Sequence, residues 1–473
     1  METNNLSIGY NFSKHDEKEY FVDEKFVNEN PDCWEIIKFL SDNPFVTQKE
    51  ICKRFNFSKD ELIEKNKKIR ESDWTKDYII NAGIGSKYWK NTIIPTIQSG
   101  KAKAVLDEKY AYPDRVGLCP GLSCNFFCSF CGRNYSAAYE KELGEKGFEM
   151  FKQIIDQTPK EANKKNVYHI TGGLEPLTFP RIGDLITYGE KAGFTMEMQT
   201  SGFFLTPEFI KKHPGIKDLS ILRFSLYGID NESTIEVTKN KNAYDVVKEN
   251  LIDYLKLKTK TKLGLNYVIL HKRTKDVLKL LDLIEEVNIK SNNQVDFLTL
   301  REDFREGAEN ILGEERKEIY NLFNEIQKRL KSKNLNKLHV DYGYALESIR
   351  KNQSSYQQPL KKVDYKQLRP KVFPQIAVMV DPKGDVYAYH EATFLDREGS
   401  ERYSIGVVDK DHSLEYIVKE FVENSDGITE PLPHDVDYLD AFDYVITVFL
   451  NQSEEDIKFG IPWSKGPIKF ENN

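Results

Sequence analysis

From about Arg115 onwards, short runs rich in β-branched and aromatic residues alternate with longer stretches whose apolar positions recur at helical spacing. That alternation is the signature of parallel βαβ units. The runs RVGLC, NVYHIT, TMEMQT, LSILRFSLY, LGLNYVIL and VDFLTLR read as strands. GFEMFKQIIDQ, RIGDLITYGEKAG, TPEFIKKH, YDVVKENLIDYLKLK and KDVLKLLDLIEEV read as the helices between them, with Pro207 suited to a first helical turn. Six such units would make three quarters of a (β/α)8 barrel, a fold whose reactive residues gather at the carboxyl ends of the strands.

The flanks have a different texture. Upstream, PDCWEIIKFLSDNP, TQKEICKRF and SKDELIEKNKKIRESDW carry apolar residues at helical spacing, with Thr47 and Ser58 placed as N-caps. The stretch from Thr47 to Ile69 looks superficially like a helix-turn-helix, but helix pairs on short turns are common scaffolding and the basic excess of a DNA reader is missing. Downstream, the helix EERKEIYNLFNEIQKRLKS leads into HVDYGYAL and a polar, lysine-rich connector from Asn352 to Arg369. FPQIAVMVDPKGDVYAYHEA then reads as a hairpin turning on Asp-Pro-Lys-Gly. The expected fold is α/β: a partial (β/α)6 TIM-like barrel over residues 106–330. An N-terminal helical domain precedes it at 1–105, and a small C-terminal α+β domain follows at 331–473.

Composition narrows the partners. A formal charge of −7 over 473 residues gives no reason to expect nucleic acid or membrane, which favour basic surfaces, so small molecules are the default. No apolar run approaches the ~18 residues of a membrane span, and METNNLSIGYNFSKHDEKEY has no signal-peptide core, so a cytoplasmic protein is expected. Six cysteines in a chain this long are too few and too uneven for a disulfide framework. Cys33 and Cys52 stand apart, while Cys119, Cys124, Cys128 and Cys131 crowd one segment, and none follows.

Cys124, Cys128 and Cys131 have the spacing C-x3-C-x2-C just after the first strand. Three thiolates can hold three irons of a cubane cluster and leave the fourth iron open to a chelating cosubstrate. The competing reading is a zinc knot that adds Cys119 as a fourth ligand. The position at the active end of a barrel and the interleaved Phe126, Phe127 and Phe130, suited to a dry shell, favour the cluster, with Cys119 as a buried neighbour. Thr171-Gly-Gly-Leu-Glu-Pro176 follows the second strand: Gly172 and Gly173 let backbone approach a ligand closely, and Glu175 can accept from an ammonium group.

The two motifs, one βα unit apart, resemble the radical S-adenosylmethionine (SAM) superfamily. The resemblance implies one [4Fe–4S] cluster, SAM as cosubstrate and a 5′-deoxyadenosyl radical. It also implies that Glu175, Ser225 in RFSLYG and Asn266 in LGLNYVIL bind SAM with the glycine pair. SKYWKNTIIP, TGGLEPLT, RFSLYG, LTLREDF, HVDYGYALESIR and RPKVFPQIAVMVDPKGDVYAYHEATF, in that order, resemble the ammonia-lyases of that superfamily that act on sugar nucleotides. This implies deamination of a nucleotide-linked 4-amino-4,6-dideoxyhexose to a 3-keto-4,6-dideoxy sugar, with oxidation or epimerisation of a related sugar nucleotide as the alternative. A base or donor at the sugar is then needed, for which Tyr344, Glu302, Asp303, His390 and Glu391 are candidates. Pyrophosphate partners would be Lys90, Arg133, Arg301 and Arg305. His390 and Cys119 depart from the family pattern, which has an arginine and an aromatic residue there. A flavodoxin or ferredoxin would supply electrons, and a homodimer is left open. The hairpin also resembles the start of auxiliary-cluster domains, but the cysteines those need are missing after Cys131.

Overall fold

A computed structural model describes residues 21–82, 88–128, 131, 138–159, 167–270, 273–302, 314–342, 346, 372–394, 399–424 and 441–461. Chain contacts group it into two compact units, each discontinuous: 1–111 with 353–376 and 425–473, and 112–352 with 377–424. The sequence pattern had suggested three consecutive segments instead. Burial explains the difference. In the first unit the helix Ala441–Phe459 seats Val445 and Phe449 out of solvent, and its Asp456 carboxylate accepts from Gln48 N at 2.7 Å. Gln48 in turn accepts from Asn66 at 2.9 Å, so the C-terminal helix fastens the two helices that follow Thr47 and Ser58. Both of those residues cap as expected, each in a reciprocal box with Glu50 or Glu61.

The second unit is built on one ten-stranded sheet in the order β10-β9-β8-β1-β2-β3-β4-β5-β6-β7. The six expected strands are β1 (Arg115–Leu118), β2 (Val167–Ile170), β3 (Thr195–Thr200), β4 (Ile221–Leu226), β5 (Lys262–Ile269) and β6 (Phe297–Glu302), all parallel. Two more parallel strands extend this partial TIM-like barrel: β7 (His339–Asp341) beside β6 and β8 (Ala377–Val380) beside β1. The expected hairpin forms as β8 with antiparallel β9 (Asp385–Tyr387), and β10 (Ser404–Val407) closes the far edge. Residues assigned by pattern to a C-terminal domain thus complete the barrel sheet, because β8 offers β1 an unbroken ladder from Arg115↔Ala377 to Leu118↔Val380. The intervening helices lie where the apolar periodicity put them, at Leu143–Gln157, Ile182–Lys191, Pro207–Lys212, Ala243–Lys256 and Asp276–Ser291. Among the described residues no helix is long and apolar enough to cross a membrane.

The hairpin turn is set by Asp381, 1% exposed. Its Oδ1 accepts from Lys383 N (2.9 Å) and Asp385 N (3.0 Å), and its Oδ2 from the Tyr139 hydroxyl (2.8 Å). Burial pushes this carboxyl up to about 6 against the opposing hydrogen bonds. The folded state therefore keeps a proton that the unfolded chain releases near its ordinary value of 3.8. Stability falls as pH rises from about 4 to about 6, by up to ~3 kcal/mol. Asp381→Asn, which cannot ionise, is expected to lose less stability than wild type across that window in urea denaturation at pH 4.5 and 7. Equal losses in both proteins would contradict the assignment.

Candidate active site

The loop after β1 carries the three thiols. Its first residues are locked onto the turn after β2: Thr171 N donates to Leu118 O (3.0 Å), Glu175 N to Ser123 O (3.0 Å), and Leu122 N and Ser123 N both to Thr178 Oγ1 (2.9 and 3.2 Å). A Cβ on Gly121 would lie 2.7 Å from the Leu174 carbonyl, so glycine lets the two loops touch. Cys128 is buried and Cys124 and Cys131 are half-buried; all are free thiols. Cys131 N donates to Cys128 O at 2.9 Å, and Phe127 N to Thr238 O at 2.9 Å.

Of the aromatic residues between the thiols, Phe126 is 2% exposed and packs edge-on against Phe203 and Tyr227, as a dry shell requires. Phe127 does not: it is 46% exposed. Phe130 lies outside the described residues. Tyr227, at the end of β4, gathers the site: burial and then the neighbouring Cys128, Cys124 and Glu175 hold its phenol far above the ordinary range.

Cys119 stands apart from this group. Its N–H continues the ladder to Val380 O (2.8 Å), and its Sγ lies under Gly172, 2.8 Å from where a Cβ there would be. Burial pushes the thiol up to about 12, with a hydrogen bond to Thr393 opposing. The three thiols, one buried and two half-buried, fit the donor set that an open-cornered cubane needs.

Gly172 (φ +83) and Gly173 (φ +52) both adopt the left-handed conformation. A Cβ on Gly173 would sit 2.7 Å from the Thr393 carbonyl. Thr393 ends the one-turn 3-10 helix His390–Thr393, and its hydroxyl donates to His390 O at 3.1 Å. His390 and Glu391, which open that turn, are half-buried. Glu175, 4% exposed, faces inward: Oε2 accepts from Ser201 N (2.9 Å), and Oε1 from Leu177 N (3.2 Å) and the Thr200 hydroxyl. The carboxylate therefore ties the turn after β2 to the end of β3, a role the motif alone did not reveal.

Ser225 and Asn266 are register partners on β4 and β5, both buried, and Ser225 Oγ accepts from Gln199 Nε2 at 3.2 Å. Arg301, exposed, is the penultimate residue of β6, opposite Val268. Lys90 belongs to the other unit, in the π-helical turn Trp89–Ile93. Arg133, Asp303, Arg305 and Tyr344 lie outside the described residues, as does the side chain of Glu302. Sequence reasoning passed over Thr393, Thr178, Thr200 and Tyr227, which fix the loops. Of these, Thr178 and Thr200 flank motif residues and could have been noted as caps of the strand ends.

The sequence also has known relatives. Residues 118–284 match the Radical SAM superfamily model. The dTDP-4-amino-4,6-dideoxy-D-glucose ammonia-lyase of Streptomyces venezuelae is 36% identical over 396 residues, covering 82% of this chain and 80% of that protein. Among solved structures, Streptococcus suis SuiB bound to S-adenosylmethionine aligns over 73% of this chain and 74% of its own, at 14% identity and TM-score 0.42. Native anSMEcpe with bound AdoMet aligns over 73% and 97%, at 15% identity and TM-score 0.44.

Proposed function

The chain belongs to the radical SAM superfamily, in the family of the Streptomyces venezuelae ammonia-lyase, and from that premise we propose that it deaminates a nucleotide-linked 4-amino-4,6-dideoxyhexose to a 3-keto-4,6-dideoxy sugar. The observation that carries this reading is the trio Cys124, Cys128 and Cys131, held by backbone hydrogen bonds against the Gly172–Gly173 turn, in a chain alike to that lyase over most of both lengths. Cys124, Cys128 and Cys131 would hold a [4Fe–4S] cluster, which together with SAM would supply the radical chemistry for hydrogen-atom abstraction from the sugar.

The chain's own residues then have four tasks. The three thiolates would hold the cluster. The glycine turn, with Ser225 and Asn266 on neighbouring strands, receives SAM, and Glu175 keeps that turn on the end of β3. The shell of Phe126, Phe203 and Tyr227 excludes water from the thiols on one side. His390 and Glu391, in the 3-10 turn that ends at Thr393, are the candidates to serve the sugar's hydroxyl and departing amine. Arg301 is a candidate partner for the pyrophosphate, with Arg133 and Arg305 as further cations, and Tyr344, Glu302 and Asp303 are candidates for proton transfer. A flavodoxin- or ferredoxin-class protein is the electron donor.

The test is an anaerobic assay of the reconstituted enzyme with SAM, a reductant and dTDP-4-amino-4,6-dideoxy-D-glucose. Ammonia and 5′-deoxyadenosine are expected together, each dependent on the sugar. A product that keeps its nitrogen would instead mark oxidation or epimerisation, and turnover without SAM would end the radical reading.

A further inference from the structure

Parallel strands in α/β folds are mostly apolar on both faces, so polar residues repeating at every second position mark an interior that serves a ligand. In this sheet Glu197 and Gln199 on β3, and Arg223 and Ser225 on β4, form such a repeat, with His169 level with Glu197 on β2. All five lie on the same face as Asn266 and Thr299, since register partners in parallel strands share a face.

His169 is 6% exposed and its Nδ1 lies 3.3 Å from Glu197 Oε2. Arg223 Nη2 stands 3.9 Å from the same carboxylate oxygen, and the guanidinium lies over the Phe297 ring at 5.4 Å. Burial, with Arg115 adding to it, lowers the imidazole to about 4, so the ring is neutral at pH 7. A neutral imidazole carries one proton, and the carboxylate 3.3 Å from Nδ1 favours it on that nitrogen. Nε2 is then a bare acceptor, buried, with no hydrogen-bond partner among the described residues. The Thr299 hydroxyl, 2% exposed on the same face, likewise has none among them. Buried polar atoms left so are costly unless a ligand or water completes them.

We propose that His169, oriented by Glu197, is a substrate-binding residue whose Nε2 accepts a hydrogen bond from a hydroxyl or amine of the sugar inside the barrel, with Thr299 as a second polar contact. The inference rests on the sugar-nucleotide reading above. An acceptor fixed by a buried carboxylate selects a donor-bearing ring: a sugar lacking that donor leaves the acceptor unpaired and is rejected.

The test compares wild type, His169→Phe and His169→Gln in the reconstituted enzyme with SAM and dTDP-4-amino-4,6-dideoxy-D-glucose. Phenylalanine keeps the volume and loses the acceptor, whereas the glutamine amide oxygen reaches the place of Nε2. For His169→Phe, kcat/KM for the sugar is expected to fall roughly 30-fold, with cluster absorbance and SAM affinity unchanged. His169→Gln should recover to within about threefold of wild type. Wild-type kinetics in His169→Phe, or equal losses in both variants that follow their melting temperatures, would overturn the proposal. If neither variant folds, a wild-type crystal with SAM and the sugar nucleotide decides: a sugar oxygen or nitrogen about 3 Å from Nε2 upholds it, and none within about 4 Å refutes it. Failure of the wild-type enzyme to release ammonia would instead refute the sugar-nucleotide reading on which this one stands.

Discussion

Replacing any one of Cys124, Cys128 and Cys131 with alanine is expected to abolish the iron–sulfur absorbance of the reconstituted protein and to bring 5′-deoxyadenosine formation to the detection limit. Each thiolate binds one iron, so losing one removes a ligand that no described neighbour replaces: the fourth cysteine of the segment, Cys119, is turned under Gly172 towards Thr393. The fold should survive, because Cys124 and Cys131 are only half-buried and their loop is held by the backbone bonds of Leu122, Ser123 and Glu175. Cys119→Ala is the matched control. It removes a buried sulfur and leaves a small cavity, at a cost of about 1–2 kcal/mol, yet should keep the cluster and at least about a third of the activity. The zinc-knot alternative makes the opposite forecast for Cys119, where alanine would release the metal as readily as at the other three positions. Iron and sulfide analysis of the four variants separates the two.

The contrast between these cysteines shows where sequence was a sufficient guide. The spacing of Cys124, Cys128 and Cys131 is local, and a loop of eight residues cannot scatter them far, so the trio was legible. The six βα units were legible for a similar reason, since each strand and helix carries its own periodicity over a few residues. What stayed hidden is non-local. β7 is three residues long, too short for any period to register. β8 was recognised as one arm of a hairpin, but nothing in AVMV says that its other edge pairs parallel with β1. The same holds in the site. The glycine pair is written in the motif, whereas the Thr393 carbonyl that forbids a side chain at Gly173 arrives from more than two hundred residues away. The interior row of His169, Glu197 and Arg223 did leave a trace, a polar residue at every second place in strands that should be apolar on both faces.

Glu175 carries the second large prediction, because its carboxylate is a structural bolt as well as part of a cosubstrate motif. Three donors converge on it from two segments: Leu177 N from its own turn, and the Thr200 hydroxyl and Ser201 N from the end of β3. Glu175→Ala leaves these donors buried without an acceptor, at an expected cost on the order of 3 kcal/mol in stability. Glutamine is a poor substitute, since its NH2 must point one donor at another, either at Ser201 N–H or at Leu177 N–H. Both variants should therefore release the glycine turn from β3 and weaken SAM binding at least about tenfold, measured by equilibrium dialysis on the reconstituted protein. Cluster content should stay intact, because the thiol loop keeps its bonds to Thr178. Aspartate distinguishes the two roles. Its shorter arm keeps the charge but cannot span to Ser201 N, so a carboxylate needed only for its charge towards the SAM ammonium would be largely rescued by it. A bolt would not be rescued. Equal SAM affinity in wild type and Glu175→Gln would show that the turn holds its shape without this anchor, and that the inward-facing carboxylate is dispensable.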